Sequence, residues 1–228
     1  MTQDLTHYDA RYYTRPTYEQ RWNGVGSLRP DQCAAVGYLF GLFDLKKIHA
    51  LSGCPAESGE PIGPPDNCMK AWKQATELRK AGGGGDPGAI VSIGCGLGLL
   101  ETTLWTLGED VRGYDPAPYP RTVWPQSGPS FAPLTMGEAA VEAAADALLL
   151  VESLEHVPRA EFWLAFHLFL KKGLRRLIVT NWRDKHPIHR DKTGWDHIEG
   201  VDDALYSELS GMGTVRVRVG SHLVVDFT

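Results

Sequence analysis

The sequence predicts an α/β fold: a seven-stranded, mainly parallel sheet that ends in an antiparallel hairpin, preceded by a helical amino-terminal cap. Three observations carry this. An apolar run at 89–93 ends in the glycine turn Gly94-Cys95-Gly96-Leu97-Gly98, and a helical pattern starts at Leu99. From there onward apolar runs and helical patterns alternate, which implies parallel strands joined by crossover helices. The last two apolar runs, 214–219 and 222–227, are separated only by Gly220-Ser221, a hairpin signal.

Each element follows from its own pattern. The first strand spans 89–93, and the helix after the turn spans 99–107. Val111–Tyr114 is the second strand. A short third strand falls near 131–134, before an alanine-rich helix over 136–144. The fourth strand, Ala147–Val151, is nearly all apolar, as a parallel strand covered on both faces should be. A helix over 158–172 places Phe162, Leu164, Phe166, Leu168 and Phe169 at apolar positions. The fifth strand is 177–180, and a helix over 201–209 leads into the hairpin. This domain spans 86–228.

Residues 1–85 differ in character. Tyr8, Tyr12, Tyr13, Tyr18 and Trp22 sit among polar residues. Pro30 and then 31–51 read as one helix ended by Gly53, with proline early and glycine after the end. Prolines and glycines make 52–66 an irregular loop, Asp66 is suited to cap a second helix reaching Ala81, and Gly82 to Gly85 form a hinge. The segment is either a cap over a ligand cleft or a packing extension.

Composition narrows the function classes. Over 228 residues the net charge is −5 and the pI about 5.9, which argues against a large phosphate-binding surface. The four cysteines include no C-x-x-C pair and read as reduced thiols. The start, Met-Thr-Gln-Asp, is polar, and the longest apolar stretch, 33–43, is too short to span a bilayer. A cytoplasmic protein with no membrane partner is expected.

Glycine spacing then selects the ligand. A dinucleotide fold asks for G-x-G-x-x-G, whose last glycine allows close packing near a pyrophosphate. Here Leu99 stands at that position and the glycine is Gly98, which disfavours a nicotinamide oxidoreductase. The observed G-x-G-x-G resembles motif I of the class I S-adenosylmethionine (SAM) methyltransferases, whose sheet is Rossmann-like. The resemblance covers roughly 85–228 and implies that Gly94, Cys95, Gly96 and Gly98 lie against SAM. Asp115 ends the second strand 21 positions after Gly94. In the resemblance it is the motif II acid, which accepts hydrogen bonds from both ribose hydroxyls; the competing reading is a turn aspartate before Pro116. Glu101 falls in the first turn of the following helix, where the dipole favours a negative charge.

The end of the fourth strand reads Glu152-Ser153-Leu154-Glu155-His156. Ligands of parallel sheets bind at carboxyl strand ends, so this segment overlooks the same crevice. If 152–156 make a helical turn, Glu152, Glu155 and His156 share a face. With His197, from the loop after the fifth strand, they make a Glu/Glu/His/His set for a divalent ion, Mg or Mn. Glu-x-x-Glu-His with a distal histidine resembles two metal-dependent O-methyltransferase groups, the small-RNA 3′-end 2′-O-methyltransferases and the ubiquinone-pathway O-methyltransferases. After His197, however, the aromatic-rich stretch of the RNA group becomes Ile-Glu-Gly.

A divalent ion would place and activate an acceptor hydroxyl. In the metal-free reading His156 or His197 is the general base, with Glu155 beside it, and N, O and C acceptors stay open. The resemblance implies O-methylation of a small-molecule hydroxyl. An RNA end as acceptor, or a non-catalytic SAM-binding partner subunit, are the alternatives. His186 and His189 are weaker candidates. His7, His49, His167 and His222 read as ordinary surface or helix residues, and the Arg175-Arg176 pair as solvated. Trp182, Trp195, Tyr12 and Tyr13 either line the acceptor pocket or pack.

Overall fold

The computed structural model describes residues 28, 30–52, 72–73, 76–77, 86–124, 126–180, 203–220 and 222–228. Seven strands form one sheet: β1 (Ile90–Ile93), β2 (Val111–Tyr114), β3 (Ser130–Ala132), β4 (Ala147–Val151), β5 (Arg176–Thr180), β6 (Thr214–Val219) and β7 (His222–Asp226). Their order is β3-β2-β1-β4-β5-β7-β6. The first five pair in parallel, and β7 enters antiparallel beside β5 with β6 outside it. The architecture is Rossmann-like with a carboxyl-terminal antiparallel hairpin, as the alternation of patterns predicts.

The helices are α1 (Pro30–Leu39), α2 (Leu45–Ser52), α3 (Leu99–Thr106), α4 (Pro120–Val123), α5 (Met136–Glu142), α6 (Arg159–Lys171) and α7 (Asp203–Ser210). Two apolar clusters sandwich the sheet. Leu148 and Leu150 of β4 point to the face covered by α5, α6 and α7. Ala147, Leu149 and Val151 point to the other, covered by α1 and α3. The alternation along β4 is the strand period itself, and both faces being apolar is why that run shows no polar break.

The single helix expected over 31–51 is instead two. The chain leaves the first helix through Gly41, at φ +82, where a left-handed residue ends a helix at little steric cost. Asp44 then caps the second: its Oδ1 accepts from the N–H groups of Lys46 and Lys47. Gly37 serves the pair differently. A Cβ there would lie 2.5 Å from Ile48 Cγ1, so the missing side chain lets α2 close onto α1. α1 also packs on β4 and β5, making it a layer of the sheet's own core. Of the helix expected from Asp66 to Ala81, positions 72–73 and 76–77 are helical; the rest of it, the loop 52–66 beyond Ser52 and the glycine hinge lie outside the described residues. Among the described residues no helix is long and apolar enough to cross a membrane.

Candidate functional site

The glycine turn connects β1 to α3 at the carboxyl end of the sheet. Gly94, Gly96 and Gly98 have φ of +70, +52 and +77, a left-handed run that side chains resist. Space excludes side chains as well. A Cβ on Gly94 would fall 2.4 Å from Ser153 Cβ, so the turn after β1 and the turn after β4 touch at this glycine. A Cβ on Gly98 would meet the Phe131 ring at 2.5 Å. The Gly94 N–H donates to Tyr114 O at 2.7 Å, which hooks the turn onto the end of β2.

That hook brings Asp115 to the turn. Its carboxyl is 7% exposed and is pinned on both sides: Oδ2 accepts from Gly96 N–H and Oδ1 from Ala117 N–H, each at 2.8 Å. Burial raises its pKa, and the two N–H groups work against that rise. An ionised carboxylate offers about four acceptor positions, so pinning leaves acceptor capacity for a ligand. Cys95 is also fixed here. Its Sγ lies 2.9 Å from where a Gly113 Cβ would be, and burial pushes its thiol pKa well up, with Glu101 and Asp115 adding to the shift. It is therefore a neutral packing group, not a nucleophile. The Trp124 indole N–H donates to Gly96 O at 2.9 Å, and its ring stacks on Phe131 at 5.2 Å.

The second predicted cluster follows β4. The expected helical turn over 152–156 does not form. Glu152 sits at φ +51, the sole positive-φ non-glycine among the described residues, and a short 3₁₀ turn covers Leu154–His156. The left-handed step re-aims the chain after the first glutamate, so Glu152 is out of helical phase with Glu155 and His156. Glu155 and His156 do meet, with Oε1 and Nε2 3.8 Å apart. Among the described residues no three His, Cys, Asp or Glu side chains are placed to hold a metal ion. The Mg or Mn set is thus not assembled by Glu152, Glu155 and His156; His197, its fourth member, lies outside the described residues, as do His186, His189, Trp182, Trp195, Tyr12 and Tyr13.

Three features escaped sequence reasoning. His49 lies on the helix α2 and is buried, and His222 is neither a surface nor a helix residue: it starts β7, and its Nδ1 bonds Tyr38 Oη at 3.1 Å beneath α1. Burial, with His49 nearby, lowers the His222 pKa to about 4. Its backbone partner Thr180 ends β5, so this pair belongs to the site's end of the sheet. Arg176 is not a free solvated charge: it grips Asp226 through Nε at 2.6 Å and donates to the carbonyls of Tyr38 and Leu39. It borders a cleft of about 410 Å³ at the opposite end of the strands, also lined by Asp146 and Arg175. Glu101 lies in the first turn of α3 as expected, but it is buried under the glycine turn. Only folding reveals such contacts, because the partners lie on different elements.

No protein-family model matches the sequence, and no curated protein matches it with significance. Solved structures do resemble it. WbdD superposes with a TM-score of 0.50 and 13% identity, over 74% of this chain and 41% of WbdD, so this chain spans about two fifths of that protein. The N-methyltransferase NodS from Bradyrhizobium japonicum WM9 gives 0.47 and 17% identity, over 72% of this chain and 98% of NodS. The magnesium protoporphyrin IX methyltransferase ChlM from Synechocystis PCC 6803, solved with bound SAH, gives 0.43 and 14%, over 70% of this chain and 83% of ChlM. The likeness to WbdD is one of fold.

Proposed function

We propose that this protein is a SAM-dependent methyltransferase acting on the hydroxyl of a small molecule. The observation that carries the reading is the left-handed glycine run Gly94–Gly98 with the buried Asp115 carboxylate hydrogen-bonded to its centre. A bare main chain at a helix start admits a ligand closely, and an acid one strand away is placed for its sugar. The residues therefore fit SAM: the Gly94–Gly98 backbone would lie along it, and the remaining lone pairs of Asp115 would hold the ribose hydroxyls. When bound, SAM supplies an electrophilic methyl group on a sulfonium.

The chain's own part in methyl transfer is to position the acceptor and take its proton. The Glu155–His156 pair after β4 supports this role: an imidazole with a carboxylate 3.8 Å away is suited to accept a hydroxyl proton and to have its cationic form stabilised. His197 is the second base candidate from the sequence. No step is assigned to a metal ion, because the described carboxylates and histidines form no group that would hold one.

Calorimetric titration with SAM and with SAH tests the cofactor. Saturable binding below about 1 mM is expected. Indole emission should change on titration, and Trp124→Phe should remove most of that change, since Trp124 is bonded to the turn. Absence of binding to both nucleosides overturns the proposal. Transfer of labelled methyl to a catechol and phenol panel, and not to RNA oligonucleotides, is the expected acceptor profile.

A further inference from the structure

Glu101 is a carboxyl for which the reading above has no use. It is 1% exposed, and it is the one charged residue of α3. Its Oε1 accepts a hydrogen bond from the Ser92 hydroxyl at 2.5 Å, and Ser92 lies on β1 two residues before Gly94. Its Oε2 is enclosed and has no hydrogen-bond partner among the described residues. Such an arrangement is costly by itself. A buried carboxylate with one open oxygen forfeits its hydration without full replacement.

Its surroundings say what would meet that oxygen. Ser92 on β1 bonds the other oxygen, and Cys95 of the glycine turn and Asp115 at the end of β2 are near enough for Glu101 to interact with them electrostatically. None of these is a cation. Asp115 is already engaged by two N–H groups and assigned to the sugar. The proposed cofactor carries a positively charged amino group at its amino-acid end, and neither the Gly94–Gly98 backbone nor Asp115, which is held for the sugar, supplies that end a counter-charge. The helix start beneath Glu101 favours its anionic form.

We propose that Glu101, oriented by Ser92, is the counter-charge for the ammonium of the cofactor's amino-acid end, and so a positioning residue for SAM. The inference rests on the cofactor reading above. It has a consequence for protons. Burial raises the Glu101 pKa to about 7, against the Ser92 hydrogen bond, with Asp115 adding to the rise. Without a cationic ligand, Glu101 is therefore a mixture of protonated and ionised forms at neutral pH. A cationic ligand selects the ionised form, so binding releases a proton and tightens as pH rises toward 7.5. The ligand's own ammonium stays charged through most of that range.

The test compares SAH with 5′-methylthioadenosine, which has the nucleoside but no amino-acid end, by calorimetry on the whole protein at pH 6.0 and 7.5. SAH affinity should rise roughly eightfold between these values in the wild type. Methylthioadenosine affinity should stay flat. In Glu101→Gln the SAH pH dependence should vanish and affinity at pH 7.5 should fall about tenfold or more, with methylthioadenosine binding retained. Equal weakening of both ligands would mean a structural role and would overturn the proposal. So would pH-independent SAH binding in the wild type. Should the variant not fold, titrating the wild type at pH 6.5 in two buffers of different ionisation enthalpy reads the proton release directly. About three-quarters of a proton is expected, and none would sink the idea. If neither ligand binds the wild type, the cofactor reading itself is what fails, and this assignment falls with it.

Discussion

The two ends of the sheet treat polar groups in opposite ways. At the amino end ion pairs close the strand starts: Arg175 with Asp146 at 2.9 Å, and Arg176 and Arg216 both with Asp226. At the carboxyl end buried polar atoms are left open. Glu101 Oε2, Ser153 Oγ and Thr180 Oγ1 have no hydrogen-bond partner among the described residues. The one left-handed non-glycine among the described residues, Glu152 at φ +51, is also found there. The amino end includes a cleft, and the carboxyl end holds the motifs. Unsatisfied polarity and backbone strain cost stability and persist where a ligand makes use of them.

The largest expected effect breaks the carboxyl end at its narrowest point. In Gly94→Val the new Cβ must occupy the space of Ser153 Cβ, 2.4 Å away, at a φ of +70 that β-branched residues avoid. The turn and the loop after β4 are then forced apart. SAM binding should be lost in calorimetry, and denaturant unfolding should show a loss of about 2–4 kcal/mol. Retained SAM affinity in a folded variant would show that the cofactor does not lie along this backbone.

The elements from β1 to β5 were legible in the sequence because each is locally periodic. The run at 147–151, with no polar break, announces a strand buried on two faces, and Gly94 to Gly98 announce a turn that no side chain could make. The amino-terminal helices were less legible. Gly37 and Gly41 look alike in sequence, yet one ends a helix and the other admits Ile48. That difference arises only when α2 packs back, although Asp44 was a cap signal available locally. The site divided the same way. Asp115 was readable from its strand end. The 3₁₀ turn after Glu152 was not, because the spacing Glu-x-x-Glu-His suits an α-turn and the phase is decided by one left-handed residue. Tyr38 and His222 stand 184 positions apart, so no local pattern joins them.

His222 sharpens the comparison through pH. Its pKa is lowered to about 4 by burial first and by His49 second. The unfolded chain takes up a proton near pH 6.5, which the folded chain refuses until about pH 4. Stability is therefore complete above that window and falls as pH drops through it, by about 3 kcal/mol for this group. Glu101 has the opposite slope between its ordinary value of 4.5 and about 7. The His222 part is consequently read as the difference between wild type and His222→Gln in urea titrations at several pH values. The difference should shrink steadily from pH 7 to pH 4. A constant difference would place His222 in water.

The smallest effect lies at the matched end. Burial alone would push the Asp226 carboxyl up, but hydrogen bonds and charge from Arg176 and Arg216 hold it below the usual carboxylate range. Its contribution to stability is present above the unfolded value and is lost as pH falls through the lower folded one. Asp226→Asn removes the ionic partner of two guanidiniums at the half-buried β5–β7 pairing. A loss of about 1–2 kcal/mol at pH 7 is expected, diminishing as the wild type is acidified. SAM affinity should not change, because this end of the sheet holds no part of the proposed cofactor site. A fall in SAM affinity without further loss of stability would mean that the two ends are coupled through β5. The contrast between an ion-paired end and the end of the proposed cofactor site would then be a description of two parts of one site.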